Sequence, residues 1–366
     1  MGYVAVKGGR EAIENAFKYY RFLQVKGGSA PLEIEQIRDQ LYLAVDRVMG
    51  EGSLYAPDLA ALALKQSGGD TLEAAFMVRA YRTTQPRLCY SLPLETGRMR
   101  VIRRISAAFK DIPGGQILGP TPDYTLRLLN FRLAEEDGLA HRKALEQLFK
   151  DLPDVEPLPD NFPKIVSILR RDGLLIERDA IRADNDRIFD VTRESISFPA
   201  DRSAAMQAMA MGETGGLLAL AYSNMRGYGL LHPTIGELRV GYVPVEVKNP
   251  YTDQPEVIGD IKVTEAEIIY QMDDADGLPK FTLGYGLCFG HNETKAISMA
   301  VLDRSTQTRE PRAPSEDQEF VLMHTDGVES MGFCNHFKLP HYVTFQSELD
   351  RLRRAQEKYE PEGLEG

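Results

Sequence analysis

The apolar positions of the first hundred residues follow a helical period. Ile34, Ile37, Leu41, Val45 and Val48 recur at three- and four-residue spacing, which predicts one amphipathic helix closed by Gly50 and Gly52. An earlier helix is expected from about Glu11, after a short strand over residues 3–6 that Lys7, Gly8 and Gly9 turn. Pro57 and Asp58 open another helix, which Gly68 and Gly69 stop. Asp70 suits the cap of the next, with Glu73 three residues on as in a capping box. That helix is expected to turn Phe76, Met77, Ala80 and Tyr81 inward. A further apolar run, residues 124–133, reads as a helix capped by Thr121 with Pro122 at its first position.

The pattern changes near residue 134. The chain becomes charged and then proline-rich, with Pro153, Pro157, Pro159 and Pro163, which predicts a linker or irregular excursion over residues 136–165. Residues 206–211 are helical by propensity. Residues 238–247 and 257–270 alternate and are rich in β-branched side chains, so both read as strands. A polar loop is expected over residues 308–318 and a polar helix over 345–359. The expected fold class is α+β: a mostly helical domain over 1–135, the excursion, and an α+β domain over 166–366.

Composition narrows the function. Hydrophobic residues are 43% of the 366, enough to bury a core. The net charge of −11 argues against a general nucleic-acid or anionic-membrane binder, since both attract basic surfaces. Cys89, Cys288 and Cys334 are far apart and odd in number, which reads as a reducing compartment rather than a disulfide framework. The start lacks the apolar core of a secretion signal, and no apolar run nears the roughly 18 residues of a membrane span. A soluble, cytoplasmic protein is expected.

Against this acidic background one segment stands out. Arg79, Arg82, Arg87, Arg98, Arg100, Arg103, Arg104 and Lys110 are opposed by a single acid, Glu95. Arginine forks suit phosphate oxygens, so the block reads either as an anion site or as a face that docks onto acidic surface. The sequence then runs through Lys110, Asp111, Gly114, Gly115 and Gly119 to Thr121 and Asp123. A glycine-rich loop entering a helix offers backbone N–H groups to an anion. Pro120 stands where a phosphate-binding NTPase loop needs lysine, so this is not that motif, and a bent structural turn is the plainer reading. Gly284, Tyr285, Gly286 and Gly290 lack the context of a dinucleotide fingerprint and read as a tight turn, with His291 structural behind it. His232, near Glu237 and Arg239, suits an acid, a base or a loop cap.

Histidine is concentrated near the end of the chain, at His324, His336 and His341. His336 and His341 flank Pro340, and a bent loop there would aim both imidazoles at one point. Imidazole suits zinc, but two ligands do not complete a site. Cys334, His324, Asp326, Glu329, water or another chain would have to supply the others. On spacing alone, packing or a hydrogen-bonded turn is the readier explanation.

Taken together, the stretches 3–9, 79–84, 110–116, 118–121, 226–229 and 338–343 resemble the PhnI family, a core subunit of the carbon–phosphorus lyase complex. The resemblance spans nearly the whole chain except residues 134–190. It implies a ribose 1-methylphosphonate 5-triphosphate synthase subunit that displaces the purine of ATP and helps attach an alkylphosphonate at the anomeric carbon. It also implies nucleosidase activity on purine nucleoside triphosphates when the chain is alone. The implied partners are other core subunits, the radical lyase among them, with two copies of each. The resemblance places the family's metal-binding histidines on His336 and His341 and so favours zinc, shared with a partner. The triphosphate is then expected on Arg79, Arg82, Arg103, Arg104 and Lys110, with help from Gly114, Gly115 and Thr121. Asp111, Asp123 and Glu237 are the catalytic candidates. A scaffold that lends zinc ligands to the lyase is the alternative, and an independent zinc hydrolase is disfavoured by the incomplete ligand set.

Overall fold

The computed structural model describes residues 8–135, 137–150, 162–176, 188–228, 233–273, 278–308, 310–338 and 342–359. In chain order the first elements are α1 (Gly9–Leu23), α2 (Ile34–Gln40), α3 (Tyr42–Gly52), α4 (Pro57–Gln66), α5 (Thr71–Thr83) and β1 (Arg100–Ile105). Next come α6 (Gly138–Lys150), α7 (Val166–Arg171), α8 (Arg202–Met211), α9 (Thr214–Ser223), β2 (Thr234–Lys248), β3 (Pro255–Asp273) and β4 (Pro279–Phe289). The chain closes with α10 (Glu293–Ser305), α11 (Gln318–His324), α12 (Gly327–His336) and α13 (Tyr342–Glu357). The fold is α+β. None of the described helices is long and apolar enough to cross a membrane.

Two compact units interleave along the chain. One comprises Met1–Pro86, Arg187–Asn224 and Thr306–Gly366, and the other Arg87–Asp186 and Met225–Ser305. Residues 87–135, expected with the helical first part, therefore belong with the sheet. The helical unit is built around Ile37, Val45, Val48, Met49, Ala60, Leu64 and Val78. The single helix expected across residues 34–48 is two, broken at Leu41, whose φ of −108° and ψ of 32° leave the helical region. Leu41 is exposed, while Ile37 before the break and Val45 after it reach the same core.

Pro57 opens α4, and the Asp70 carboxylate accepts from the N–H groups of Leu72 and Glu73 to cap α5, as expected. The inward face of α5 is not the expected one. Ala74, Ala75 and Val78 are buried, whereas Phe76, Ala80 and Tyr81 are exposed and Met77 is half-buried. Gly52 of α3 explains this: a Cβ there would meet Val78 Cγ1 at 2.7 Å, so the helices approach too closely for an aromatic face.

The second unit holds a four-stranded antiparallel sheet in the order β1-β2-β3-β4. Both expected strands are present and longer than the alternation suggested. Gly284 and Gly286 are not a turn but lie within β4. A Cβ on either would collide with a carbonyl oxygen of α10, that of Ala300 or Ala296, so glycine lets α10 lie on the sheet. The opposite face carries two apolar clusters, one around Met99, Val101, Phe162, Val243 and Val263, the other around Val166, Leu169, Leu175 and Ile269.

Three further expectations change. The excursion contains α6, although residues 151–161 lie outside the described ones. The apolar run 124–133 is not a helix. It runs as open chain into a 3-10 turn over Phe131–Glu135, with Leu126, Leu128, Leu129 and Phe131 all exposed. Among the described residues, none covers this run. The strand expected at residues 3–6, and also His232 and His341, fall outside the described residues.

Candidate functional site

Strand β1 places Arg103 and Arg104 side by side, and successive strand residues face opposite ways. Arg104 is fully buried. Its Nε donates to Glu237 Oε1 at 2.5 Å, Nη1 to the carbonyls of Pro113 (2.6 Å) and Gly115 (3.2 Å), and Nη2 to that of Pro163 at 2.9 Å. Its guanidinium also lies over the Phe162 ring. Arg103 pairs with Glu293 at the start of α10, donates to Leu118 O at 2.5 Å and bonds Asp123 Oδ2 at 2.5 Å. Both arginines thus hold the glycine-rich loop by its carbonyls and carboxylates.

The loop's shape follows from this. Gly114 and Gly119 have φ of 81° and 62°. A Cβ on Gly114 would meet Phe162 at 2.7 Å, and one on Gly119 would meet the Ile102 carbonyl at 2.6 Å. Arg104 and Ile117 exchange both backbone hydrogen bonds at 2.8 Å, which fastens the loop to β1. The Thr121 hydroxyl accepts from the Asp123 N–H at 3.2 Å in a local turn rather than capping a helix.

A charged group lies where the loop meets α10, with Asp123 and Arg127 its more exposed members. Arg103 bridges Asp123 and Glu293, Arg127 Nη2 donates to the other Asp123 oxygen at 2.7 Å, and His291 Nε2 lies 3.4 Å from Glu293 Oε1. The hydrogen bond with Thr121, then the Arg103 and Arg127 charges, hold the Asp123 carboxyl below its ordinary range. Burial works against ionisation of Glu293, but the bond with His291 and the charge of Arg103 outweigh it and depress its pKa. Two carboxylates are kept ionised at the edge of a loop, with an imidazole beside one of them.

On the face of the sheet away from α10, Glu237, Arg239, Glu265, Glu267 and Tyr285 project together from β2, β3 and β4, and Lys164 reaches in from the segment before α7. Arg239 pairs with Glu265, and Lys164 Nζ contacts Glu265 at 2.9 Å and Glu267 at 3.1 Å. Thr96 Oγ1 and Tyr285 Oη both donate to Glu265. Burial opposes Glu265 ionisation, yet the charges of Arg239 and Lys164 bring its pKa down to about 2. Glu267 goes the other way: burial raises its pKa, and Lys164 only partly offsets that. Glu267 Oε2 is buried and has no hydrogen-bond partner among the described residues. Glu265 and Glu267, charges at every second strand position, read in the sequence as a solvent face, Lys164 carries no signal there, and Tyr285 reads as part of a turn.

The expected triphosphate ligands are therefore divided. Arg103, Arg104 and Lys110 are in the sheet unit, with Lys110 and Asp111 exposed on the loop. Arg79 and Arg82 belong to the helical unit. There Arg79 pairs with Asp326 at 2.7 Å and donates to the Glu51 carbonyl at 2.7 Å, while Arg82 is half-buried. Among the catalytic candidates, Glu237 is committed to Arg104 and the Ile165 N–H. Asp123 is the one that joins other ionisable groups at an accessible position.

A family model described as "Bacterial phosphonate metabolism protein (PhnI)" matches residues 2–359. The chain is 55% identical to the putative C-P lyase subunit protein HtxH of Stutzerimonas stutzeri, over 98% of this chain and 97% of that one. The chain belongs to the PhnI family. It is also 46% identical to the alpha-D-ribose 1-methylphosphonate 5-triphosphate synthase subunit PhnI of Escherichia coli, over 97% and 99% of the two chains. The protein of the same name from Rhizobium meliloti is 45% identical over 98% and 96%. Of the two metal candidates in this PhnI-family chain, His336 ends α12, half-buried, with Nδ1 2.6 Å from the Phe333 carbonyl. Among the described residues no three histidine, cysteine, aspartate or glutamate side chains are grouped to hold a metal.

Proposed function

We propose that this chain removes the purine from a nucleoside triphosphate and helps join an alkylphosphonate to the ribose so exposed, as one subunit of a multi-subunit synthase. Relatives named as ribose 1-methylphosphonate 5-triphosphate synthase subunits, matched over 96% and 99% of their lengths, support the reading. A product with a triphosphate on C5′ and a phosphonate on C1′ follows from ATP by loss of adenine and attack of a phosphonate oxygen at C1′. The observation that carries the assignment of the site is the pair of ionised carboxylates, Asp123 and Glu293, joined through Arg103 beside the glycine-rich loop.

Departure of the base leaves positive charge on the ribose ring, and an accessible carboxylate stabilises that charge as it develops. Asp123 has this role, and Lys110 and Arg127 supply exposed cations for the triphosphate at the rim of the same loop. Water attack gives the nucleosidase outcome, and phosphonate attack gives the synthase outcome once partners exclude water. Adenine release from ATP by the full chain tests the proposal. Asp123→Asn is expected to lower turnover by about a hundredfold, and an unchanged rate would remove Asp123 from the site.

Zinc belongs to the same proposal through His336 and His341, with further ligands from a partner. The double variant His336→Ala, His341→Ala, purified with its partner subunits, is expected to lose zinc by elemental analysis while its adenine release persists. Full zinc content would refute these ligands. The scaffold reading has its own support in the exposed apolar run of Leu126, Leu128, Leu129 and Phe131, a surface suited to burial against another protein.

A further inference from the structure

Loss of a purine needs more than a stabilised ribose, because the base leaves as a poor anion unless it takes up a proton at N7. The sheet-face cluster is badly placed to give one, since the unpartnered oxygen of Glu267 is sealed from solvent. The α10 end of the loop is different. His291 stands one residue before Asn292, which caps α10 by accepting from the Lys295 N–H at 3.1 Å. Gly290, at φ 73°, turns the chain out of β4, and its N–H donates to the Lys262 carbonyl at 2.7 Å. The Asn292 N–H donates to Thr264 Oγ1 at 2.9 Å. The backbone on both sides of His291 is thus fixed to β3, and its ring reaches Glu293 at 3.4 Å. The side chain is mostly buried, with 14% left exposed. Glu293 is shared with Arg103, which also holds Asp123.

We propose that His291, oriented by Glu293, is the general acid that protonates the departing purine, while Asp123 faces the ribose across Arg103. This rests on the base-displacing function proposed above and names the group that function lacks. The imidazolium gives its proton to purine N7 as the C1′–N9 bond breaks and the bonding electron pair passes into the base. Water or a phosphonate oxygen forms the new bond at C1′. Water gives up a proton in doing so, and His291 is reprotonated from solvent. Glu293 is a positioning residue: its carboxylate, 3.4 Å from the ring, sets the orientation of the imidazole.

A base that already carries positive charge at N7 needs no acid. Purine release from ATP and from N7-methylated GTP is therefore compared in the full chain, with GTP as the matched control. In His291→Gln, release from ATP and GTP is expected to fall by about a hundredfold, whereas release from N7-methylated GTP changes little. Glu293→Gln is expected to show the same selectivity with a smaller loss. A purely structural role, or a misfolded variant, lowers all three substrates together, and that outcome overturns the assignment of His291, as does an unchanged rate on ATP. If the wild-type chain, alone and with its partner subunits, releases base from none of the three, the base-displacing function falls and this inference falls with it.

Discussion

Replacing Glu265 with glutamine is expected to destabilise the sheet unit by about 3–5 kcal/mol, the range found when one member of a buried ion pair is removed. Glu265 and Arg239 are each almost completely buried, with side-chain exposures of 2% and 1%. Without the carboxylate, Arg239 keeps the Thr96 carbonyl at 3.1 Å as an acceptor but loses the anion it is paired with. Lys164 keeps only Glu267, and the hydroxyls of Thr96 and Tyr285 meet an amide instead of a carboxylate. The pH dependence has a definite sign. Glu265 titrates near 2 in the folded protein against an ordinary value of 4.5. Its ionised form therefore contributes full stability above about pH 4.5, and that contribution is lost as pH falls toward 2. Glu267 has the opposite sign, since its raised pKa favours the protonated form and its contribution is lost as pH rises. Urea unfolding of wild type and Glu265→Gln at pH 7 and at pH 3 should show the difference narrowing at the lower pH. A difference below about 1 kcal/mol at pH 7 would mean that the pair is hydrated rather than buried.

Much of this architecture is legible in the chain, because local chemistry decides it. Pro57 and Asp70 start helices for reasons that hold within one turn, and the alternation along residues 238–247 and 257–270 marks strands wherever they pack. What the sequence conceals depends on distant partners. Glu237 stands out as a catalytic candidate until Arg104 is seen to occupy it, and Glu265 looks like a solvent-facing strand position until Arg239 arrives beside it. The apolar spacing of residues 124–133 fits a helix, but a helix needs a core to face, and among the described residues none covers it. Phe76 and Tyr81 are bulkier than Ala74 and Ala75 and would be preferred inside on size alone. The close approach of Gly52 reverses that preference.

The glycine-rich loop shows the same division. Its position next to the arginines, and the glycines it needs, are visible in the sequence, and so is Asp123 within it. The direction of its polar groups is not. A loop that offers N–H groups to an anion and a loop that offers carbonyls to an arginine have the same composition. His291 is separated from Asp123 by most of the sheet in sequence and is brought to it by the packing of α10 on β4, where Gly284 and Gly286 allow the contact.

Arg104→Met tests that reversal directly. Methionine keeps an unbranched apolar stem but removes every donor. Glu237, fully buried, would keep the Ile165 N–H at 3.3 Å, and the carbonyls of Pro113, Gly115 and Pro163 would each lose the guanidinium that holds them. The expected loss is about 3–5 kcal/mol, again the cost of an orphaned buried charge. Adding Glu237→Met should recover most of it, because the uncompensated carboxylate goes and two apolar side chains fill the site. The loop, however, regains none of its anchors in the double variant, so purine release should stay depressed although stability returns. Stability and base release measured across the two single variants and the double separate the alternatives. If Arg104→Met leaves stability unchanged and weakens only ATP binding, the guanidinium serves the triphosphate and the loop is held by other means. If the double variant restores both quantities, the loop does not depend on Arg104, and the ion pair is an isolated element of the core.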